Sequence, residues 1–210
     1  MESQETLINQ VPPQKYYFSL NSVKKTTLFL STTTPNAPTY TVSTDLKTDK
    51  HTEVKDAHGD VIAVWSRKDL LPDTIAWPGR EGGNSTAVKN WLKKGDGADG
   101  IPVHTLNTAA GPIVFRSSAK HRVGAYFPSK LASAASTDET EAIAYLVPKT
   151  EEHNLALVLS APAQATDVRD EIMVAVLILE HKLRMADTAI SVGGGKFEQN
   201  KTVAGYYVST

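Results

Sequence analysis

The amino-acid sequence predicts a mainly β protein in which antiparallel strands form a closed barrel around one hydrophobic helix near the C-terminus. Roughly nine to twelve short runs of apolar and β-branched residues recur between turn residues, at the spacing typical of antiparallel sandwiches and barrels. One segment differs from the rest, because residues 172–179 (IMVAVLIL) contain no polar side chain. A helix that is apolar on every side must be buried on every side, and in a β protein a barrel is the structure that encloses it.

The composition is that of an ordinary globular chain of 210 residues, which predicts one domain. Because 22 Lys and Arg stand against 23 Asp and Glu, no overall field attracts nucleic acid, and no nucleic-acid partner is expected. The chain has no cysteine, which excludes disulfides, thiol nucleophiles and zinc sites built on Cys. The first residues lack a basic stretch followed by an apolar core, so we expect no signal peptide and a cytoplasmic protein.

The strand-like runs follow one another along most of the chain. Residues 57–60 (AHGD) supply the turn of a hairpin, since Gly59 tolerates a positive φ. Residues 86–94 (TAVKNWLKK) fit either a short helix or a strand, whereas residues 95–100 and 129–140 read as loops. The predicted strands are 15–20, 26–31, 38–43, 51–55, 61–66, a short one near 74–77, 101–106, 111–117, 121–128, 141–148 and 154–161.

The apolar segment belongs to a helix predicted at about residues 167–186. The run is shorter than the ~20 apolar residues that a membrane span needs, so no transmembrane segment is expected. Thr166 or Asp167 is suited to cap the helix, and acids in the first turn complement the positive end of its dipole. The bases at 181, 182 and 184 are expected to do the same at the other end.

These elements divide the chain into a flexible arm at 1–14, a barrel domain at 15–186 and an extension at 187–210. For the extension three possibilities stay open: a flexible tail, an added edge strand at 203–208, or pairing with a neighbouring copy.

The order of several segments resembles a family of uncharacterised single-domain proteins common in mushroom-forming fungi. The matching segments are YYFSL, PTYTVST, GDVIAVWSRKDLLPDTI, NWL and the acid-started apolar helix that ends in bases. That family is similar in turn to the tubby C-terminal, LURP-one and phospholipid-scramblase-like group. The resemblance covers about residues 15–186 and implies a twelve-stranded antiparallel barrel threaded by one helix. It also implies an anionic lipid head group as the class of ligand.

No catalytic motif is present, so no cofactor is predicted and an enzyme is the least favoured class. GGGK at 193–196 resembles the end of a phosphate-binding loop, but Ile190 and Phe197 stand where that loop needs Gly and Ser or Thr. The six histidines are dispersed, and His51 and His58, which flank a hairpin, are more typical of surface positions than of a metal site. Asp96 and Asp99 alternate with glycines but lack the other oxygen ligands of a calcium loop, and no metal is predicted.

The best candidate ligand site is basic. The segment FRSSAKHRV places Arg116, Lys120, His121 and Arg122 in one turn between two strands, where Ser hydroxyls would help to bind a phosphate or sulfate. Solvated turn charges are the alternative reading of the same residues.

The sequence favours a non-enzymatic binding domain of the tubby-like kind, with an anionic lipid head group as its ligand. The alternative is a carbohydrate-binding or defence protein of the fungal cytosol. That alternative requires Asp or Asn beside an exposed Trp, whereas we expect Trp65, Trp77 and Trp91 in the barrel core or as plugs at a barrel end.

Overall fold

The computed structural model describes residues 11–30, 37–97, 100–132 and 142–192. Thirteen strands in these residues form one sheet in which every pairing is antiparallel. The strands are β1 (Gln14–Phe18), β2 (Thr26–Leu30), β3 (Tyr40–Thr44), β4 (His51–Lys55), β5 (Val61–Ser66), β6 (Thr74–Ala76), β7 (Ser85–Ala87), β8 (Leu92–Asp96), β9 (Pro102–Thr108), β10 (Gly111–Arg116), β11 (Gly124–Tyr126), β12 (Ala144–Val147) and β13 (Ala156–Leu159).

From one edge of the sheet to the other, the strands lie in the order β7-β6-β5-β4-β3-β2-β1-β13-β12-β11-β10-β9-β8. The first and last strands of the chain therefore lie side by side in its middle, with Tyr16 opposite Leu157. The two edge strands, β7 and β8, are connected in sequence by α1 (Val88–Trp91), but within the described residues they do not pair with each other. The prediction of an antiparallel, mainly β fold is confirmed. The predicted closed barrel is not confirmed, because hydrogen bonds among the described residues do not close the sheet. The sheet has thirteen strands rather than about twelve.

Residues 86–94 contain both of the structures that the sequence left open. β7 ends at Ala87, the four residues of α1 follow, and β8 begins at Leu92. The predicted loop at 129–140 begins inside a short helix, α2 (Pro128–Ala132), and its residues 133–140 lie outside the described part of the chain.

The long helix, α3 (Thr166–Val192), ends at Val192 instead of near residue 186. The expectation that bases close the helix is wrong, because its last turn contains no basic residue. Residues 185–192 contain no Gly or Pro, whereas three glycines follow at 193–195, and glycine is a poor helix former. No helix in the described residues is long and apolar enough to span a membrane.

The apolar segment of α3 lies at the centre of the hydrophobic core. Every residue from Ile172 to Leu179 is at most 7% exposed, although the segment makes more than two helical turns. The helix is therefore covered on all sides, as its sequence predicts. Trp65 and Trp77 belong to the same core cluster and Trp91 packs against it, which confirms their predicted place.

The two ends of the sheet take their names from α3. Because all pairings are antiparallel, every second connection lies at the same end of the sheet. We call the end at which α3 leaves the core the exit end. It includes the connections 19–25, 45–50, 67–73, 117–123 and 148–155. The other end, where α3 begins, is the entry end. At the entry end, Arg80 forms ion pairs with two acids in the first turns of α3. Its guanidinium donates to Glu171 at 2.9 Å and lies 3.2 Å from the Asp167 carboxylate.

The entry end also contains a buried polar contact. The Tyr40 hydroxyl donates a hydrogen bond of 2.6 Å to the Asp170 carboxylate, and the Arg80 guanidinium lies 3.7 Å from the same carboxylate. Burial, together with this hydrogen bond, raises the pKa of Tyr40, so its hydroxyl stays a donor at neutral pH. These contacts hold the start of α3 against β3 and the β6–β7 connection.

We expect Val176→Asp or Leu177→Asp to prevent the protein from folding. Each substitution places an unpaired charge where the wild-type side chain is at most 3% exposed. The cost of several kcal/mol approaches the ~5–15 kcal/mol that stabilises a whole domain. Soluble yield and circular dichroism measure the effect. Ile190→Asp, at a position of α3 that is 65% exposed, is the matched control and should fold. Normal folding of both core variants would contradict the enclosure of α3.

Candidate functional site

The exit end is the part of the molecule in which most of the charged and apolar loop residues gather. Three neighbouring connections, β1–β2 (19–25), β3–β4 (45–50) and β5–β6 (67–73), lie side by side because β1 to β6 are consecutive in the sheet. The Lys24 ammonium pairs with the Asp49 carboxylate at 2.5 Å, and the Lys50 ammonium pairs with Asp69 at 2.6 Å. The Arg67 guanidinium donates to the backbone carbonyl of Asp49. These contacts connect the three loops to one another.

A buried carboxylate fastens α3 to the same end. Glu180, whose side chain is 2% exposed, accepts from Arg122 Nε at 2.9 Å and from Arg184 Nε at 2.7 Å. Arg122 also donates to Asp187 at 2.5 Å, and Arg184 donates to the backbone and side-chain oxygens of Asn21 at 2.9 and 2.8 Å. Glu180 therefore joins the β10–β11 connection to the helix, and Arg184, which Glu180 contacts, joins the β1–β2 connection to it.

Arg116 ends β10 and the other three residues of the predicted anion patch lie in the β10–β11 turn, but the four do not form one exposed cluster. Lys120 alone is exposed. His121 is buried and its ring stacks on Tyr145 with centroids 4.2 Å apart, while the Arg116 guanidinium lies 5.9 Å from the ring of Tyr126. Arg122 is paired with two carboxylates of α3, as described above.

The hydroxyls expected to assist this patch are used inside the turn. Ser117 Oγ donates to the Arg122 carbonyl at 2.6 Å, and Ser118 Oγ accepts from the His121 amide at 3.0 Å. The turn is thus built by local hydrogen bonds. Anion binding by the four predicted residues stays a prediction, with Lys120 as the member that solvent reaches.

Exposed lysines surround the exit end without carboxylate partners. Within the described residues no ion pair is formed by Lys25, Lys47, Lys68, Lys120, Lys149 or Lys182, all of them exposed. The connections 19–25 and 117–123 contain no acid, whereas 45–50, 67–73 and 148–155 each contain two, of which Asp49 and Asp69 are paired with lysines. At the entry end, the connection 56–60 carries Asp56 and Asp60 and no lysine.

A cleft of about 350 Å³ opens beside the β5–β6 connection. Its lining includes Lys50, Lys68, Leu70 and Leu71, together with the pair His51 and Ser66. The His51 Nδ1 lies 3.0 Å from the Ser66 hydroxyl oxygen, and His51 is exposed. Asp69 also lines the cleft and pairs with Lys50, so the rim carries both signs of charge beside the two leucines.

His181 is a second buried histidine of this end, besides His121. The ring of His181 packs edge-on against the ring of Trp65, with the two centroids 5.1 Å apart. The Arg67 guanidinium lies over the Trp65 ring, 4.6 Å from its centroid. Burial, then the nearby charges of Arg67 and Lys24, lower the pKa of His181 to about 4, against the opposing effect of Asp49 and Asp73. His104 on β9 has a pKa lowered to about 4 chiefly by burial, with Lys182 and Lys94 adding to the effect. Both histidines are neutral near pH 7.

The remaining sequence motifs give no site in the part of the chain that the structure describes. No group of three His, Asp or Glu side chains is placed there to hold a metal ion. His51 begins β4, and His58 lies in the turn at the other end of that strand. Asp99 and the segment 193–196 lie outside the described residues.

Comparison with known proteins identifies a family but no function. The model of a family described as "Family of unknown function (DUF6593)" matches residues 21–185. No curated protein and no solved structure shows significant similarity to the chain.

Glu180→Gln is expected to destabilise the fold by about 3 kcal/mol, because it leaves Arg122 and Arg184 without their shared buried carboxylate. Urea denaturation followed by tryptophan fluorescence measures the difference. Glu151→Gln, which neutralises an exposed acid of the same end, is the control and should change the free energy of unfolding little. Equal stability of the two variants would show that Glu180 does not hold the helix.

We expect the free energy of unfolding to fall as the pH drops from about 6.5 towards about 4, because His181 takes up a proton more readily in the unfolded chain. His181→Phe keeps an aromatic ring beside Trp65 and removes this titration. The variant should therefore lose less stability than the wild type between about pH 7 and about pH 5. His104 accounts for part of the remainder. Identical pH profiles in urea denaturation would contradict the assignment.

Proposed function

The chain belongs to that family of unknown function, and from the geometry of its exit end we propose that it is a non-enzymatic binding module for anionic lipid head groups. The observation that carries the proposal is the group of exposed lysines there without carboxylate partners in the described residues. Lysines close to a membrane surface each contribute about 1 kcal/mol of attraction to anionic lipids. Several of them at one end of the molecule orient it as well as attract it.

The site we propose differs in part from the patch that the sequence favoured. Lys120 is retained, and Lys25, Lys47, Lys68 and Lys182 join it. Arg122 instead serves the fold, since Glu180 and Asp187 occupy its guanidinium. Replacing Arg122 would therefore weaken the attachment of α3 as well as any ligand site. A test of binding has to use the exposed lysines.

The architecture proposed for this module is that of the tubby-like group, with a sheet that closes as a barrel around α3. The position of α1, which connects the two edge strands, and the complete burial of the middle of α3 support it. We also propose a cytoplasmic location, where anionic lipids face the protein.

The carbohydrate-binding alternative has less support. It depends on a tryptophan exposed beside Asp or Asn. Trp65 and Trp77 are buried, and Trp91 is partly buried with its ring centroid 5.7 Å from that of Trp77.

Flotation with vesicles tests the proposal. Wild-type protein should float with phosphatidylcholine vesicles that contain phosphatidylserine and should not float with phosphatidylcholine alone. Lys47→Gln combined with Lys68→Gln should weaken binding about 30-fold, which corresponds to the loss of two lysines near the surface.

The matched control combines Lys15→Gln with Lys55→Gln. It removes the same charge from the entry-end halves of β1 and β4, and its binding should match that of the wild type. No flotation of the wild type with anionic vesicles would refute the proposed function. Equal losses in both double variants would refute the exit end as its site.

A further inference from the structure

Large apolar side chains are exposed at one end of the molecule. The described residues contain seven of them, of which Val11 alone precedes β1 at the entry end. The other six lie at the exit end: Leu20, Leu46, Leu70, Leu71, Met185 and Ile190. Leu70 is 97% exposed and Leu46 is 76% exposed, so neither contributes to the core. A set of exposed apolar side chains confined to one end marks an interaction surface.

The loops hold these leucines in place. Leu46 lies in the β3–β4 connection and Leu70 and Leu71 in the β5–β6 connection, and the ion pair between Lys50 and Asp69 joins the two loops. The pair between Lys24 and Asp49 joins the β1–β2 connection, which carries Leu20, to the same group. These ion pairs connect the three loops from which the leucines project.

The last turns of α3 add a second apolar element. Residues 185–190 are exposed, and the pairs Met185 with Ala189 and Ala186 with Ile190 are each four residues apart. Residues at that spacing lie on one side of a helix. Arg122 fastens this part of α3 to the β10–β11 turn through Asp187.

We propose that the exit end inserts these apolar side chains beneath the head groups of an anionic membrane, so that the leucines enter the acyl region while the lysines contact the phosphates. This rests on the proposed function and adds the mode of binding. Lys47 directly follows Leu46, and Lys68 lies two positions before Leu70. Asp45 and Asp69 stand directly before these two leucines, and Asp69 is paired with Lys50. Apolar side chains flanked by basic ones are the usual composition of an interfacial membrane anchor.

A second copy of the chain fits this surface less well. Two exit ends placed face to face would bring the exposed lysines of one copy against those of the other, and like charges oppose such a contact. An anionic bilayer instead offers a negative surface above an apolar layer, which complements both kinds of side chain.

Labelling single cysteines tests the insertion, and the absence of native cysteine makes the labelling specific. Leu46→Cys and Leu70→Cys would carry an environment-sensitive fluorophore, with Ala57→Cys in the exposed entry-end turn as the control. Phosphatidylcholine vesicles containing phosphatidylserine should shift the emission of the first two labels to the blue. Nitroxides in the acyl chains should quench those two labels and leave the control unchanged.

The leucines themselves are tested by Leu70→Ser combined with Leu71→Ser, which should weaken vesicle binding about tenfold or more for each leucine. Flotation without a blue shift at Leu46→Cys and Leu70→Cys would overturn insertion while leaving head-group binding intact. No flotation at all would overturn both. A blue shift that appears without vesicles as protein concentration rises, together with a dimer in sedimentation, would assign the surface to a second copy and overturn the proposal.

Discussion

The enclosure of one apolar helical segment, Ile172–Leu179, is the constraint on which the rest of the structure depends. Its side chains belong to the hydrophobic core, so the rest of the chain has to cover every side of this segment. The polar residues of α3 are consequently confined to its two ends. Each end is held by ionic contacts. At the entry end Asp170 and Glu171 lie beside the partly exposed Arg80, and at the exit end the buried Glu180 accepts from two arginines.

The ionic contacts of α3 determine how the arginines at the exit end are used. Their arginines are used inside the molecule, because Arg122 and Arg184 satisfy Glu180 and Arg67 contacts Asp49. Lys24 and Lys50 pair with exposed aspartates, and six other lysines of this end form no ion pair within the described residues. The difference follows from chemistry, since a planar guanidinium satisfies a buried carboxylate with several directed hydrogen bonds, whereas an ammonium is strongly hydrated.

The sequence predicts the fold better than the site because apolar periodicity is local and ion pairing is not. The helix and nearly all strands follow from runs of apolar residues. Which strands form the edges of the sheet cannot be read from these runs, because it depends on whether β7 and β8 form hydrogen bonds with each other. Arg122 looked available because its partner Glu180 lies 58 positions further along the chain. The exposed leucines were missed because an apolar residue is normally expected inside. Their position in the sequence indicates their exposure, because Leu46 and Leu70 occur within turns that are rich in Asp and Lys.

Hydrogen–deuterium exchange, with and without vesicles that contain phosphatidylserine, tests the account most directly. In the free protein the amides of 172–179 should exchange most slowly, because the enclosed segment opens only when the whole domain unfolds. Vesicles should then protect 45–50, 67–73 and 185–192 and leave the entry-end turn 56–60 unchanged. Protection of 56–60 instead, or rapid exchange of 172–179 in the free protein, would contradict the account.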